Sequence, residues 1–285
     1  MARSSKSPAG RDLADVFVHH ARRGKDGPKV LLVHAIGFDH TTWEPILPYL
    51  EDRYDLALID LPGHGASDKP AGADYGPLSL GRRVVAVMDE LGWERAALVG
   101  NSLGGGVSLA TTLAAPERVT ALALVNSVGL RPGLPPLGRL AGIPFLPVLS
   151  GYAPTLAVRV GLESCRARWG SVSSARCASS RTYLRSPEGR SAFFQALRQL
   201  YGPDLEQMAR HYSEIRCPTL ILHGERDPLI RLRHAEQLSR VIHGAELVRI
   251  PGCGHFPQEE CPEKVGIPLR RFLDHSLANA DIERG

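Results

Sequence analysis

The sequence lacks the features that mark disulfide-rich, zinc-binding and nucleic-acid-binding proteins. Its five cysteines form an odd number without a C-x-x-C pair, which indicates neither a disulfide framework nor a zinc site. The 34 basic and 30 acidic residues are spread over 285 residues without a long run of either sign. A formal net charge of +4 is too small to indicate a nucleic-acid partner.

Long apolar runs are also missing. No segment reaches the roughly 18 uninterrupted apolar residues of a membrane span, and the first 30 residues contain no apolar core of a signal peptide. The basic residues near the N-terminus are expected to form a solvated arm and edge strand. We therefore expect a cytoplasmic protein with one large domain, or one domain with an insertion.

Short apolar runs recur along the chain, and most are followed by a pattern with helical spacing. This alternation is typical of a parallel sheet covered by helices. Six runs predict buried strands at residues 29–34, 56–60, 96–100, 119–126, 219–223 and 246–250. Residues 13–20 alternate more and carry charge, so they predict an edge strand or a hairpin. Helices are predicted at residues 80–91, 103–115, 231–242 and 262–277.

Residues 129–212 break this rhythm because they contain no convincing buried strand. Proline, glycine and arginine are interleaved there with amphipathic pieces at 155–162 and 192–200, after a linker at 131–136. A region of this length between two core strands predicts an inserted helical cap. The expected domains are a core formed by residues 1–128 and 213–285, and a cap formed by residues 129–212.

The strongest motif is Gly100-Asn101-Ser102-Leu103-Gly104, at the junction of a predicted strand and a predicted helix. The two glycines suit a sharp strand-to-helix turn, because side chains there would collide with the neighbouring backbone. The helix N-terminus also favours negative charge developing near the Ser102 oxygen and the Leu103 amide. The motif predicts a nucleophile, and its alternative is a serine that caps a glycine-rich helix.

A serine hydroxyl is a weak nucleophile that needs a base oriented by a third group. Asp227 lies just beyond the predicted strand 219–223, and His255 lies beyond the strand 246–250. Taken singly, Asp227 also fits a turn or helix cap, and His255 a surface loop. Together with Ser102 they give the order nucleophile, acid, histidine, each just after a core strand, and this order predicts a catalytic triad.

At these positions the chain resembles the α/β-hydrolase superfamily, in particular its serine esterase and lipase-like branch. The resemblance rests on the strand-to-helix turn at residues 100–104, which we call the elbow, and on the turns that carry Asp227 and His255. It also rests on residues 34–38 with Trp43 and on residues 60–67. It implies an α/β-hydrolase fold with a mainly parallel eight-stranded sheet flanked by helices and a helical cap inserted after strand six. It also implies that Ser102, Asp227 and His255 form the triad.

The resemblance further implies an oxyanion hole made by two backbone amides, those of Ile36 and Leu103. Such donors are typically worth about 3 kcal/mol each. Relatives usually carry glycine where this chain has Ala35, and alanine tolerates a positive φ poorly. The sequence alone therefore does not determine the backbone conformation of the loop at residues 34–38.

Other polar residues near these motifs are expected to be structural. His34 ends a strand and is expected to brace the oxyanion loop, while Asp60 and His64 lie in a turn rich in proline and glycine. Asn126 closes the sixth strand, where some relatives carry the triad acid. Because asparagine is not a carboxylate, this position favours Asp227 as the acid.

The expected reaction is cleavage of a small-molecule carboxylic ester through an acyl-enzyme, without a metal or cofactor. An apolar acyl group of small to medium size is expected, because Ile36 and an apolar cap entry would line the site. The entry comprises Leu130, Leu134, Leu137, Leu140, Ile143, Phe145, Leu146 and Leu149. A serine in the elbow argues against the dehalogenase and epoxide hydrolase branches, which use aspartate there.

Three alternatives stay open. Hydrolases of carbon-carbon bonds in ring-fission products share the elbow, but they usually have a Ser-Gly-Pro-Gly oxyanion loop and tryptophan where this chain has Phe256. A lactonase or thioesterase would use the same triad. The third alternative, a ligand receptor on a hydrolase scaffold, is disfavoured by the intact set of Ser102, Asp227 and His255.

Overall fold

The structure is a computed structural model that describes residues 10–13, 16–21, 27–130, 152 and 155–282. Eight strands form one sheet with the order β1-β2-β4-β3-β5-β6-β7-β8. They are β1 (Gly10–Leu13), β2 (Val16–Ala21), β3 (Lys29–Val33), β4 (Asp55–Asp60), β5 (Ala96–Asn101), β6 (Val119–Val125), β7 (Thr219–Gly224) and β8 (Glu246–Ile250). From β4 to β8 all neighbours are parallel, so the predicted mainly parallel eight-stranded sheet is confirmed.

The two ends of the sheet differ from its centre. Strands β1 and β2 pair antiparallel, as the hairpin alternative predicted, and β2 pairs antiparallel with β4. Strand β8 lies at the other end, and only Ile250 is fully buried in it. The prediction that 246–250 is a buried strand was wrong about burial. Strand β8 lies at the edge of the sheet, where a strand is less covered by neighbouring elements.

The described residues contain nine α-helices. They are α1 (Pro77–Glu90), α2 (Leu103–Ala114), α3 (Thr155–Glu163), α4 (Ser174–Arg185), α5 (Pro187–Leu200), α6 (Asp204–Ala209), α7 (Leu232–Val241), α8 (Pro257–Glu260) and α9 (Pro262–Ile282). Helices α1, α2, α7 and α9 correspond to the four predicted from apolar spacing. None of the described helices combines the length and apolarity needed to cross a membrane.

Helices α3 to α6 lie between β6 and β7 in the chain, within the range predicted for the cap. The division into core and cap stays a prediction. The linker 131–136 lies outside the described residues. So do seven residues of the predicted apolar entry: Leu134, Leu137, Leu140, Ile143, Phe145, Leu146 and Leu149.

The sheet separates two apolar cores. Leu31 packs into the core on the side of α1 and α2, whereas its neighbour Leu32 packs into the core on the side of α9. Successive side chains of a strand point to opposite faces, so a strand covered on both sides must be apolar throughout. This double burial explains why the central strands are continuous apolar runs in the sequence.

Helix α2 approaches the sheet so closely that two positions accept only glycine. A Cβ atom on Gly104 would lie 2.2 Å from the carbonyl oxygen of Val33 and 2.6 Å from that of His34. A Cβ atom on Gly100 would lie 2.3 Å from the carbonyl oxygen of Gly104. The steric reason inferred from the sequence for these two glycines is therefore present in the fold.

The close approach yields a prediction about stability. Gly104→Ala is expected to lower the free energy of unfolding by about 3 kcal/mol, because the methyl group meets backbone atoms that cannot rotate away. Urea unfolding at neutral pH measures the effect. Gly161→Ala is the matched control, since a Cβ atom at this α3 position meets nothing within 4 Å and alanine is the better helix former. Equal stabilities of the two variants would contradict the prediction.

Candidate active site

Ser102 lies at the junction of β5 and α2 with φ 54° and ψ −116°. Positive φ is uncommon for a residue with a side chain and persists only where the surroundings fix it. Two hydrogen bonds fix it here: the Ser102 amide donates to the Val125 carbonyl at 3.1 Å, and its carbonyl accepts from the Val128 amide at 3.1 Å. As the first residue of α2, Leu103 carries an amide with no acceptor inside the helix.

Asp227 and His255 contact each other directly. His255 Nδ1 lies 2.7 Å from Asp227 Oδ2, and Asp227 Oδ1 accepts from the amides of Leu229 and Ile230 at 2.8 and 3.0 Å. Burial alone would raise the pKa of Asp227, but His255, Asn126 and the Ile230 amide together bring it below its ordinary value. A charged Asp227 accepts the Nδ1 proton of His255, which leaves Nε2 as the basic nitrogen.

Asn126 holds the carboxylate of Asp227 from the end of β6. Its Nδ2 atom donates to Asp227 Oδ2 at 2.6 Å and to the Gly254 carbonyl at 3.1 Å, while its Oδ1 atom accepts from the Gly224 amide at 3.0 Å. Its φ of 42° is one that asparagine adopts more readily than most residues. Sequence reasoning set Asn126 aside because it is no acid and missed this positioning contact.

Asn101 joins the elbow to the turn that carries His255. Its Nδ2 atom donates to the Val125 carbonyl at 2.9 Å and to the His255 carbonyl at 3.3 Å, and its Oδ1 atom accepts from Gln258 at 3.1 Å. Ser102 follows Asn101 directly. The fold thus ties together the ends of β5, β7 and β8, where the three residues predicted as a triad lie.

The loop after β3 carries Ile36 and is braced by His34, as expected from the sequence. His34 Nδ1 donates to the Ala35 carbonyl at 2.7 Å, and Nε2 accepts from the Leu61 amide at 2.9 Å. Burial lowers the pKa of His34, and the neutral ring has the one donor and one acceptor that these bonds require. The Phe38 amide closes the loop on the Ala35 carbonyl at 3.2 Å.

The structure answers the question that Ala35 raised. Among the described residues, the positive φ values outside glycine belong to Ser102 and Asn126, so Ala35 keeps an ordinary conformation. Gly37 takes the left-handed step in this loop with φ 74°. Alanine in place of the usual glycine therefore costs no backbone strain here.

Asp60 and His64 have structural contacts, in line with their predicted roles. The Asp60 carboxylate accepts from the amides of His40 and Ala66 at 2.6 and 2.8 Å. Burial lowers the pKa of His64 to about 3, so this ring stays neutral. Within the described residues, no group of three or more His, Cys, Asp or Glu side chains is arranged to hold a metal ion.

The pattern of the alpha/beta hydrolase fold family matches residues 28–262, which is most of the chain. This chain belongs to that family. The match covers all of the elements that carry Ile36, Ser102, Asp227 and His255.

Three comparisons place the hydrolase among its relatives. An uncharacterized protein of Mycobacterium tuberculosis is 30% identical over 90% of this chain and 80% of its own length. The 2-hydroxy-6-oxo-2,4-heptadienoate hydrolase of Pseudomonas putida is 31% identical over 82% of this chain and 84% of its own. A crystal structure of a bacterial membrane phospholipase A is 25% identical and superimposes with a TM-score of 0.75, covering 94% of this chain and 85% of its own.

A buried charged cluster, which we call the Arg176 cluster, consists of Arg176, Arg166, Asp39 and Glu259. Arg176 of α4 lies 3.2 Å from Asp39 Oδ1 and 3.0 Å from Glu259 Oε1, and Arg166 pairs with the other oxygen of Glu259. The hydroxyl of Ser179, one turn along α4, donates to Asp39 Oδ2 at 2.7 Å. Sequence reasoning missed this cluster, because no motif marks its members.

Asp39 also begins the 3-10 helix His40–Tyr49, where its side chain accepts from the Thr41 amide at 3.1 Å. Burial alone would raise the pKa of Asp39, but Arg176 and the hydroxyls of Thr41 and Ser179 hold it well below its usual range. A carboxyl whose folded-state pKa is depressed stabilises the protein above its unfolded pKa of about 4. The contribution is lost as the pH falls toward the folded-state value.

The lowered pKa of Asp39 predicts how the stability of the protein depends on pH. Asp39→Asn is expected to lower the free energy of unfolding at neutral pH by about 2 kcal/mol, because a charged bond to Arg176 becomes a neutral one. The difference from wild type should shrink as the pH falls below about 4. Urea unfolding at a series of pH values measures both effects. Asp52→Asn is the control, since Asp52 pairs with Arg270 on the exposed surface. A pH-independent difference would contradict the assignment.

Apolar side chains lie beside the loop that carries Ile36 and the turn that carries His255. Phe38 and Phe256 stack with ring centroids 4.3 Å apart and form a small buried cluster with Ala35. Leu162 and Cys165 pack against it from α3 and the turn that follows. Phe38 comes two residues after Ile36, and Phe256 directly follows His255.

A disulfide joins Cys253 and Cys261 across the turn that carries His255. The cysteine spacing predicted no disulfide framework, and for this pair that prediction was wrong. The turn and the short helix α8 bring the two Cα atoms to 6.4 Å from each other, although the two cysteines are eight positions apart along the chain. Cys165, Cys177 and Cys217 are free thiols.

Proposed function

We propose that this hydrolase cleaves carboxylic esters of small to medium apolar acyl groups through an acyl-enzyme on Ser102. The observation that carries the proposal is the 2.7 Å contact of His255 Nδ1 with Asp227. Asn101, the residue before Ser102, donates to the His255 carbonyl at 3.3 Å, and Ser102 itself is held at positive φ at a helix N-terminus. A charged acid, an oriented imidazole and an elbow serine are the groups that acyl transfer requires.

In the acylation step, His255 Nε2 takes the proton of the Ser102 hydroxyl while the oxygen attacks the ester carbonyl carbon. Asp227 stabilises the imidazolium that forms. The amides of Leu103 and Ile36 donate to the oxyanion of the tetrahedral intermediate. His255 then gives its proton to the departing alkoxide, and the alcohol leaves.

Deacylation repeats the sequence with water. His255 takes a proton from the water molecule as its oxygen attacks the acyl carbon, the same two amides hold the oxyanion, and the proton returns to Ser102. The products are a carboxylic acid and the free serine. A lactone or a thioester would follow the same steps with a different leaving group.

Two features support an apolar and uncharged acyl group. The side chains flanking the predicted oxyanion loop and the His255 turn are the aromatic rings of Phe38 and Phe256. The two buried arginines among the described residues, Arg166 and Arg176, already pair with Glu259 and Asp39. A carboxylate on the acyl part would therefore enter an apolar site without one of these cations to pair with.

The second candidate is cleavage of a carbon-carbon bond in a ring-fission product. It is favoured by the 31% identity to the 2-hydroxy-6-oxo-2,4-heptadienoate hydrolase, whose name gives a 2-hydroxy-6-oxo acid as its substrate. Such a substrate carries a carboxylate. The paired state of Arg166 and Arg176 is the specific observation that ranks this candidate second.

The nucleophile is tested by substitution. Ser102→Ala is expected to lower kcat for p-nitrophenyl butyrate by about 10⁴-fold or more, because the acyl-enzyme cannot form. A fluorophosphonate probe should label wild type and not the variant. Ser108→Ala is the control on the same helix and should retain activity, since its hydroxyl only bonds the Gly104 carbonyl. Full activity in Ser102→Ala would refute the proposal, and binding of esters without turnover in wild type would indicate a receptor.

The two candidate reactions are separated by a substrate comparison. We expect kcat/KM for p-nitrophenyl butyrate to exceed that for 2-hydroxy-6-oxo-2,4-heptadienoate by at least about 100-fold, because the carboxylate of the second substrate would enter the site without a buried cation to pair with. Stopped-flow absorbance follows both reactions. The opposite ratio would make the carbon-carbon bond hydrolase the function of this chain.

A further inference from the structure

The Arg176 cluster connects the helix α4 to the two loops that carry the proposed catalytic groups. On one side, Arg176 and Ser179 both bond the carboxylate of Asp39, three residues after Ile36. On the other side, the Nε atom of Arg176 lies 3.1 Å from Glu259 Oε1, four residues after His255. A single guanidinium therefore spans from the oxyanion loop to the histidine turn.

A stack of planar groups reinforces this connection. The guanidinium of Arg176 lies 4.7 Å from the ring centroid of Phe38, and that of Arg166 lies 5.7 Å from the ring centroid of Phe256. The two rings stack on each other, so the four groups form one block. Cations over aromatic faces attract more strongly when they are shielded from water.

Charge balance makes the block cooperative. Two guanidiniums face two carboxylates, and each of the four side chains is less than 15% exposed. Removing one partner of a buried pair leaves an uncompensated charge in a dry site. Undocking α4 would break the contacts to both loops together, because Arg176 serves both carboxylates.

We propose that Arg176 is a positioning residue that couples the docking of α4 to the assembly of the oxyanion loop and the histidine turn. The inference rests on the proposed function of Ser102, Asp227, His255 and the Ile36 amide. With α4 docked, Phe38 and Asp39 hold the Ile36 amide toward the reaction site, and Glu259 and Phe256 hold His255. With α4 undocked, the triad residues are present but the oxyanion donor is displaced.

The test compares Arg176→Met with the conservative Arg176→Lys and with Arg185→Met, a control at an exposed position on the same helix. For p-nitrophenyl butyrate, Arg176→Met is expected to lower kcat by about 30-fold per titrated active site while KM changes less than about threefold. A trifluoromethyl ketone, which mimics the oxyanion, should bind more weakly by a similar factor. Arg176→Lys should recover part of both losses, because a lysine reaches one carboxylate at a time.

A second measurement does not depend on activity. Hydrogen exchange of amides in residues 34–43 and 253–261 should accelerate together in Arg176→Met and stay at the wild-type rate in Arg185→Met. If Arg176→Met does not fold, Asp39→Asn serves instead, since asparagine still begins the 3-10 helix while its bond to Arg176 loses the charge.

The outcomes separate the inference from the proposed function. Unchanged exchange in both segments, or a loss of kcat that Arg185→Met shares, would overturn the role of Arg176. Faster exchange in one segment alone would also overturn it, since coupling of the two loops is the claim. A wild type that neither hydrolyses esters nor reacts with the fluorophosphonate probe would overturn the proposed function, and the exchange experiment would still decide the coupling.

Discussion

The contact of Gly104 with the end of β3 is the constraint on which the proposed oxyanion site depends. Because Gly104 has no side chain, α2 lies against the carbonyl groups of Val33 and His34. Ser102, with its positive φ, and Leu103 directly precede Gly104, and Ile36 follows His34 by two residues. The contact therefore brings together the two segments that carry the proposed oxyanion donors. Both proposed oxyanion donors therefore depend on one steric fact. The neighbouring hydrogen bonds at Val125 and Val128 hold the strained turn in place.

Much of this arrangement was predictable from local sequence. The steric need for glycine on both sides of Ser102 depends only on the elbow itself. The burial of the central strands is visible in the sequence as apolar runs. Asp227 and His255 were found because parallel strands end at one edge, so residues that follow different strands meet there. The same reasoning overestimated the burial of β8, since an apolar run does not tell an edge strand from a central one.

The contacts that orient these residues were not predictable in the same way. Arg176 bonds Asp39 across 137 residues and Glu259 across 83, and no spacing rule connects positions so far apart. Asn126 was visible at a strand end, but its role follows from the three partners that tertiary structure gives it. The Cys253–Cys261 disulfide depends on the path of the turn between them. The sequence therefore predicted the candidate catalytic residues. The side chains that hold them in place became visible only in the folded structure.

Buried ion pairs are a costly way to join a helix to a sheet, because well-packed apolar side chains of similar volume are often as stabilising or more so. A guanidinium adds hydrogen bonds with fixed directions. Its planar donors fix the rotation and height of α4 against two carboxylates at once, whereas apolar packing would tolerate small displacements. A proposed oxyanion hole tolerates little displacement, because its donors act only at about 3 Å from the developing charge. We infer that the charges at Arg176, Asp39 and Glu259 serve geometry more than stability. The same pairing occupies cationic groups that an acidic substrate would need, which agrees with the proposed preference for uncharged acyl groups.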